Sequence, residues 1–477
     1  MAFPFWGACA MKSYTFQMSL PPSPSLSVEQ LYLRFAHAAL NRWKEWAEKE
    51  GVKRRQSVRV YFTEGGITED VKELPDFGYL MAMHTEELST LEEADSCVKA
   101  LLHSGAIKPP LLSDAHGRAI LTPTYDQLRP WLVQQIGYAL VEAVNIVGGL
   151  SPSDEQILAA FADYKEAWSA TSHRWDVRVP LRHFETDLVS IKFGSFELMP
   201  FRPDDKNVVM GYYQAAVEPT LLDLHETKFM LCASYSYAPA DNDEQKRIRE
   251  EAERIIAAMR LVKPGDVGAL CIHQSKVRSK PWGHSTYGPL LGFTVGRWGQ
   301  AYHLQESDVP PLLTLLSVLT QAANSNHLRS LEVALRRFNQ GYGRQIPEDR
   351  VVDYVVALES CLLPDRGEEL SLRFALRGAT LLAKRRDPVQ TRGLLDGMYD
   401  ARSQIVHSGK LLSTMKVKAL ERLKVTAAEL PKLCEEILRD ALQELLPRVA
   451  GGESLSQITQ QLEVELLAGL SPRKLAQ

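Results

Sequence analysis

Several things are scarce in this 477-residue chain, and each scarcity excludes a class of protein. No apolar run reaches the roughly 18 residues that a membrane-spanning helix needs, so no membrane partner is expected. The six cysteines (Cys9, Cys97, Cys232, Cys271, Cys361, Cys434) are far apart and form no Cys-x-x-Cys pair. That spacing argues against a zinc site and a disulfide framework, and for a reducing, cytoplasmic setting. The apolar N-terminal stretch "MAFPFWGACAM" has no positive charge ahead of it, against a secretory signal. Met11 is as good a start as Met1. No segment repeats at a period of 20–50 residues. The net charge of −4 excludes a bulk polyanion binder, while 45% apolar and 24% charged residues suit an ordinary globular protein.

The charge is uneven. Leu370–Lys424 holds twelve Lys/Arg against four Asp/Glu, a local balance of +8 that leaves −12 for the remainder. Such a segment is either a solvated basic surface or a place for an anion.

Three compositional regions follow one another. Residues 1–26, with "SLPPSPSLS", read as a flexible tail. Residues 27–306 read as a mixed α/β region with a mostly antiparallel sheet, in one piece or in two with a break near 170. Ser27–Gly51 has a serine N-cap, helical apolar spacing and a glycine stop. "SVRVYFT" alternates as a strand does. Helices are expected around Thr90–Leu102, Tyr125–Ile146 and Asp243–Leu261. Strands are expected at "RWDVRVPL", "LVSIKFGSFELMPF" with a turn at Gly194-Ser195, "VVMGYYQAAV", "KFMLCASYSYA", "VGALCIHQ" and "LLGFTV". Residues 307–449 read as successive helices with short breaks, a helical bundle, and 450–477 as a tail with one short amphipathic piece. The fold class is therefore multidomain α+β with an all-α C-terminal bundle.

The chemistry-bearing stretch is "YDARSQIVHSG", Tyr399–Gly409. At about 100° per residue, Leu394, Leu395, Met398, Tyr399, Ile405 and Val406 fall within roughly 80° of Arg402, so this arginine stands in an apolar stripe. His407 falls about 140° away, beside Asp396, Asp400 and Ser403. In "EDRVVDYVVALESCLL", Val351, Val352, Val355, Leu358 and Leu362 form a stripe that contains Glu359. A buried charge is costly unless paired, so Glu359 is expected to pair with Arg402 or with Arg377. In "EELSLRFALRGATLLAK", Leu370, Phe374 and Leu381 face inward, with Arg373 and Arg377 one turn apart. These two arginines either clamp a phosphate or neutralise buried carboxylates.

His407 lies in the last helical turn before Gly409, where the helix dipole favours a cation. An imidazole titrates near neutrality and can give and take a proton, and a fixed arginine can stabilise a developing phosphorane charge. Together they suit RNA, whose 2′-hydroxyl supplies its own nucleophile. The bare spacing is not specific: Arg178/His183, Arg278/His284 and Arg297/His303 repeat it, none of them at the end of an amphipathic helix. The alternative is a structural arginine beside a helix-capping histidine.

In context, "DYVVALESCLL", "LSLRFALRGATLL" and "LLDGMYDARSQIVHSG" resemble the Apea-like group of the HEPN superfamily, over about Asp349–Leu446. The resemblance implies a HEPN-type helical bundle that pairs as a homodimer and places two Arg-x4–6-His motifs in a shared cleft. Many members are metal-independent ribonucleases of prokaryotic antiviral defence that leave a 2′,3′-cyclic phosphate. It implies that Arg402 and His407 are catalytic, with Ser403 beside them and Glu359 as a supporting acidic residue; Arg373 and Arg377, from the residue pattern above, join Ser403 and Glu359 as candidates for binding substrate or supporting the site. No cofactor or metal is expected. The N-terminal region would sense an unidentified trigger. Some relatives are instead non-catalytic modules for nucleotide or RNA binding or for dimerisation; a third reading places the function in the N-terminal region.

Other signals are weak. "NQGYGRQ" around Gly341 and Gly343 lacks the strand and third glycine of a phosphate loop. His173, His183, His225 and His273 have no close ligand partners, and read as core or surface histidines. Trp175, Tyr212, Tyr213, Tyr235 and Tyr237 suit core packing better than base stacking.

Overall fold

The computed structural model describes residues 26–469, apart from 52–53, 64–65, 78–80, 82, 106–111, 114–118, 121–124, 170–172, 212–220, 238–241, 277–284, 289–292, 294–298, 325–326, 366–367 and 423. The chain is mixed α/β and mostly helical, with a mainly antiparallel sheet. It divides into two compact units between residues 172 and 173, with 60–68 grouped with the second. No helix among the described residues is long and apolar enough to cross a membrane.

The first unit is built on α1 (Val28–Glu50), whose start is fixed by a reciprocal capping box between Ser27 and Gln30. Gly51 ends it at φ +75°, where a side chain would be strained. A hairpin follows in the chain, β1 (Arg54–Thr63) and β2 (Gly66–Pro75), whose residues 60–68 group with the second unit. Helices α2 (Thr85–Ser89), α3 (Glu92–His103), α4 (Tyr125–Val147) and α5 (Asp154–Ser169) complete the unit, with the short pair β3 (Leu112–Ser113) and β4 (Ala119–Ile120). Tyr32 stacks on Phe161 at 3.8 Å between ring centroids, tying α1 to α5.

The second unit opens with β5 (His173–Arg182), β6 (Phe184–Thr186), β7 (Ile191–Phe193) and β8 (Phe196–Pro200). Gly194, at φ +61°, makes the β7–β8 turn. Helices α6 (Pro203–Gly211) and α7 (Leu221–Glu226) precede β9 (Phe229–Tyr237). The strand expected at "VVMGYYQAAV" is a correction: Val208–Gly211 end α6, because the Pro203-Asp204-Asp205 start favours a helix. Residues 212–220 lie outside the described residues, as does nearly all of "LLGFTV". Helix α8 (Asn242–Val262) leads to β10 (Gly268–Ala269), β11 (Ile272–Lys276), β12 (Ser285–Gly288) and β13 (Tyr302–Leu304). The main sheet runs β12-β11-β5-β9-β8-β7, with β10 also on β5; β13 pairs in parallel with β6. On β5, Trp175, Val177, Val179 and Leu181 are buried at period two. Trp175 and Tyr235 therefore belong to the core.

The same hydrophobic core continues without interruption into the helices that follow, so the junction near 306–307 lies inside one packed body. These helices are α9 (Val309–Asn324), α10 (Glu332–Gly341), α11 (Pro347–Leu362), α12 (Leu370–Leu381), α13 (Pro388–Ser408), α14 (Lys418–Arg422), α15 (Leu430–Ala450) and α16 (Leu455–Gly469). Helix α11 packs between α10, α13 and α15, and α12 between α13 and α16. Two inward expectations are corrected: Leu370 and Val406 are 39% and 49% exposed.

Gly341, at the end of α10, faces the buried Tyr354 ring of α11; a Cβ there would stand 2.2 Å from it. Its role is close packing. Gly341→Ala is expected to cost about 1–3 kcal/mol through overpacking, read as a lower denaturant midpoint in urea unfolding. An unchanged midpoint would show that the α10–α11 contact yields.

Candidate functional site

Helix α13 begins with Asp387 accepting from the Gln390 backbone N–H and Pro388 in its first turn. It ends at Gly409, φ +60°, whose N–H reaches the Ile405 carbonyl while Lys410 N–H reaches Gln404. Leu394, Leu395, Met398 and Ala401 are buried along its inner face. The helix is thus anchored at both ends and along one side, and its last two turns carry the candidate residues.

Of the two partners open to Glu359, the structure brings it to Arg402. The Arg402 Nη2 lies 3.4 Å from the Glu359 Oε2, with side chains 24% and 18% exposed. Arg402 Nε and Glu359 Oε1 are both buried with no hydrogen-bond partner. Burial raises the Glu359 carboxyl above the usual carboxylate range, and the Arg402 guanidinium pulls it part of the way back.

Arg377 goes elsewhere. It is 2% exposed and held by Asp365, by Glu463 of α16 and by the Leu362 carbonyl. Arg373 reaches the same two carboxylates. Asp365 is held far below the usual carboxylate range, first by its hydrogen bond from Arg377 and, against the opposing effect of burial, also by Arg373. Of the two roles left open for these arginines, the structure occupies them with neutralising carboxylates and gluing α16 onto α12. Glu463 was out of reach of a sequence reading that treated this segment as a tail.

His407 is exposed in the last turn of α13, and Ser403 is half-buried. On a regular helix Arg402 and His407 diverge by about 140°, so one copy of the chain does not aim both at one atom. Around this helix end, Val406 and Leu411 are 49% and 58% exposed, an uncovered apolar rim. Asp396, on the His407 side, has its carboxyl raised by partial burial, opposed by Arg392 and reinforced by Asp400.

The other Arg/His spacings find different surroundings. Arg178 stands in β5, bound to Asp205 and Ser275; His303 faces Glu185; Arg278, His284 and Arg297 lie outside the described residues. His273 is fully buried and His225 exposed. Sequence reasoning missed Asp353, 2% exposed and clasped by both Arg337 and Arg344. Its signal was available: a carboxylate on a helix whose neighbours are apolar, with a preceding Arg-rich helix and turn. No family model, curated protein or solved structure matches this chain.

The Arg402–Glu359 pair carries a pH signature. A carboxyl with a raised folded pKa holds its proton more tightly folded than unfolded. Its contribution is therefore best below the unfolded value of about 4.3 and declines as pH rises through the folded one. Arg402 offsets that decline. Arg402→Ala is expected to cost about 1–3 kcal/mol at pH 8, less than a fully buried pair would. The cost should shrink on acidification, and vanish in a Glu359→Gln background. Melting curves from pH 4 to 8 check this; a pH-independent cost would refute the coupling.

Proposed function

We propose that this chain is a HEPN-type, metal-independent endoribonuclease that works as a homodimer, with Arg402 and His407 as its catalytic residues. The observation that carries the reading is the incomplete bonding of Arg402. Arg377 saturates its guanidinium with two carboxylates and a carbonyl, as a purely structural arginine does. Arg402 has one long contact and an orphaned Nε, yet a quarter of its side chain is open. It keeps donors for an anion arriving from outside.

The exposed apolar rim of Val406 and Leu411 supports a second copy at this helix end. Two copies across a twofold axis surround one phosphodiester with two guanidiniums and two imidazoles, which removes the divergence within one helix. In the reaction the RNA 2′-oxygen bonds to phosphorus as the P–O5′ bond breaks. One imidazole takes the 2′-hydroxyl proton and an imidazolium gives a proton to the departing 5′-oxygen. The arginines stabilise the extra negative charge on the phosphoryl oxygens. The products are a 2′,3′-cyclic phosphate and a 5′-hydroxyl. Ser403, on the His407 side of the helix, is placed to hydrogen-bond substrate. Arg373, Arg377 and Glu359 support the helices around it. The N-terminal region regulates the activity, and the setting is defence against phage in the cytoplasm.

A non-catalytic module that binds nucleotide or dimerises is the second reading; Glu359 favours it, because it already neutralises part of the Arg402 charge. Incubating RNA in EDTA with wild type, Arg402→Ala and His407→Ala separates the two. Wild type is expected to cleave and leave cyclic-phosphate ends. His407→Ala should lose at least about a hundredfold in rate with an unchanged melting temperature. Equal rates in all three proteins would remove the catalytic assignment.

A further inference from the structure

Next to the end of α13, a cavity of about 1020 Å³ opens within the second unit. One wall is the loop after Gly409, with Leu411, Leu412 and Ser413; the opposite walls are the α10–α11 turn and the start of α15. The loop wall is fixed, because Glu348 Oε1 accepts the Leu412 backbone N–H at 2.7 Å. The volume matches pockets that enclose a nucleotide-sized ligand.

The polar groups of this cavity are unequally committed. Its two carboxylates are in use: Glu348 on Leu412, and Asp266 on Arg350 and on the Gln300 N–H. Its cations retain free capacity. Among the described residues Arg344 gives Nε to Asp353, and that carboxylate is shared with Arg337, so one negative charge stands between two positive ones. Arg344 is 42% exposed. Lys432 is exposed at the start of α15 and has no ion-pair partner among the described residues. Arg350 is 30% exposed beside them. Ile346, next to this wall, is 55% exposed.

We infer that this cavity binds the phosphate backbone of single-stranded RNA, seating the nucleotides next to the scissile bond, with Arg344 and Lys432 as its phosphate contacts. The assignment of RNA rests on the proposed ribonuclease reading; the anion-binding character rests on the cavity alone. The cavity wall begins at Leu411, four residues after His407 in the chain.

The test is fluorescence anisotropy with the full chain and a labelled 2′-O-methyl single-stranded RNA, which binds but has no 2′-hydroxyl to react. Lys432→Glu is the main variant, because the side chain is exposed and its loss should leave the melting temperature unchanged. Its affinity is expected to fall about tenfold, with a shallower dependence on salt. Arg344→Gln should act in the same direction. Wild-type affinity in folded Lys432→Glu and Arg344→Gln overturns the cavity assignment, whether or not the protein cleaves RNA. Loss of binding in those variants upholds it even if wild type proves unable to cleave, in which case only the catalytic reading fails. Displacement of the oligonucleotide by equimolar inorganic triphosphate overturns the RNA assignment and identifies a free polyphosphate as the ligand.

Discussion

A guanidinium bonded to backbone carbonyls sits where sheet and bundle meet. Arg260 of α8 is fully buried, and burial brings it down to about 10. Its donors go to the Val267, Asn339 and Phe293 carbonyls and to the Asn339 side chain, and its plane lies 4.3 Å from the Tyr342 ring centre. The Arg260 carbonyl in turn accepts from Arg439 of α15, which binds Glu435, which binds Tyr342. Burying a charge among backbone dipoles costs several kcal/mol whenever one partner moves. Helices α8, α10 and α15 therefore hold a single relative arrangement, and the turn after α10 is fixed with them. That turn, with α11, sets where α13 rests.

Against this frame the arginines sort by how completely they are bonded. Arg377 has every guanidinium nitrogen engaged, and Arg260 and Arg439 are buried among their partners, so none of the three faces an incoming ligand. The +8 balance of Leu370–Lys424 is correspondingly deceptive. Arg373, Arg377, Arg385 and Arg386 meet Asp365, Asp440, Glu444 and Glu463, all of which lie outside that segment. Much of the local positive charge is thus internal cement between α12, α15 and α16. Among the cations left over, Arg402 stands at one helix end and Arg344 with Lys432 in the adjoining cavity, beside exposed lysines such as Lys384, Lys410 and Lys416.

Helical periodicity carried far in this sequence because it reports which residues share a face. It placed Glu359 and Arg402 each within an apolar stripe and left Arg402 or Arg377 as the partner of Glu359; the structure joins Glu359 to Arg402. The Ser27 and Gly51 punctuation of α1 was equally legible, since caps are local chemistry. Periodicity says nothing about which helix lies opposite. Arg377 finds Glu463, 86 residues away, on a helix that composition alone made look like a tail. It also does not report where a stripe runs out of neighbours: Val406 continues the apolar pattern of α13 but projects past the helices that cover Leu394 and Met398. The misread strand at Val208–Gly211 shows the converse, a β-branched pair overruled by an N-terminal Pro-Asp-Asp start.

Gly409 connects the two functional proposals physically. Only a residue free to adopt φ near +60° lets the chain reverse directly after the last helical turn. A continued helix would carry Lys410 and Leu411 away from the cavity and lengthen α13 beyond His407. Because the chain reverses instead, His407 stays in a terminal turn and Leu411–Ser413 become a cavity wall, clamped there by Glu348. Glu348 lies in the first turn of α11, the helix that also presents Glu359 to Arg402. One helix therefore positions both the guanidinium and the loop beside the imidazole. Movement of α11 would disturb the two together, so the helix end and the cavity behave as one structural assembly rather than as independent features.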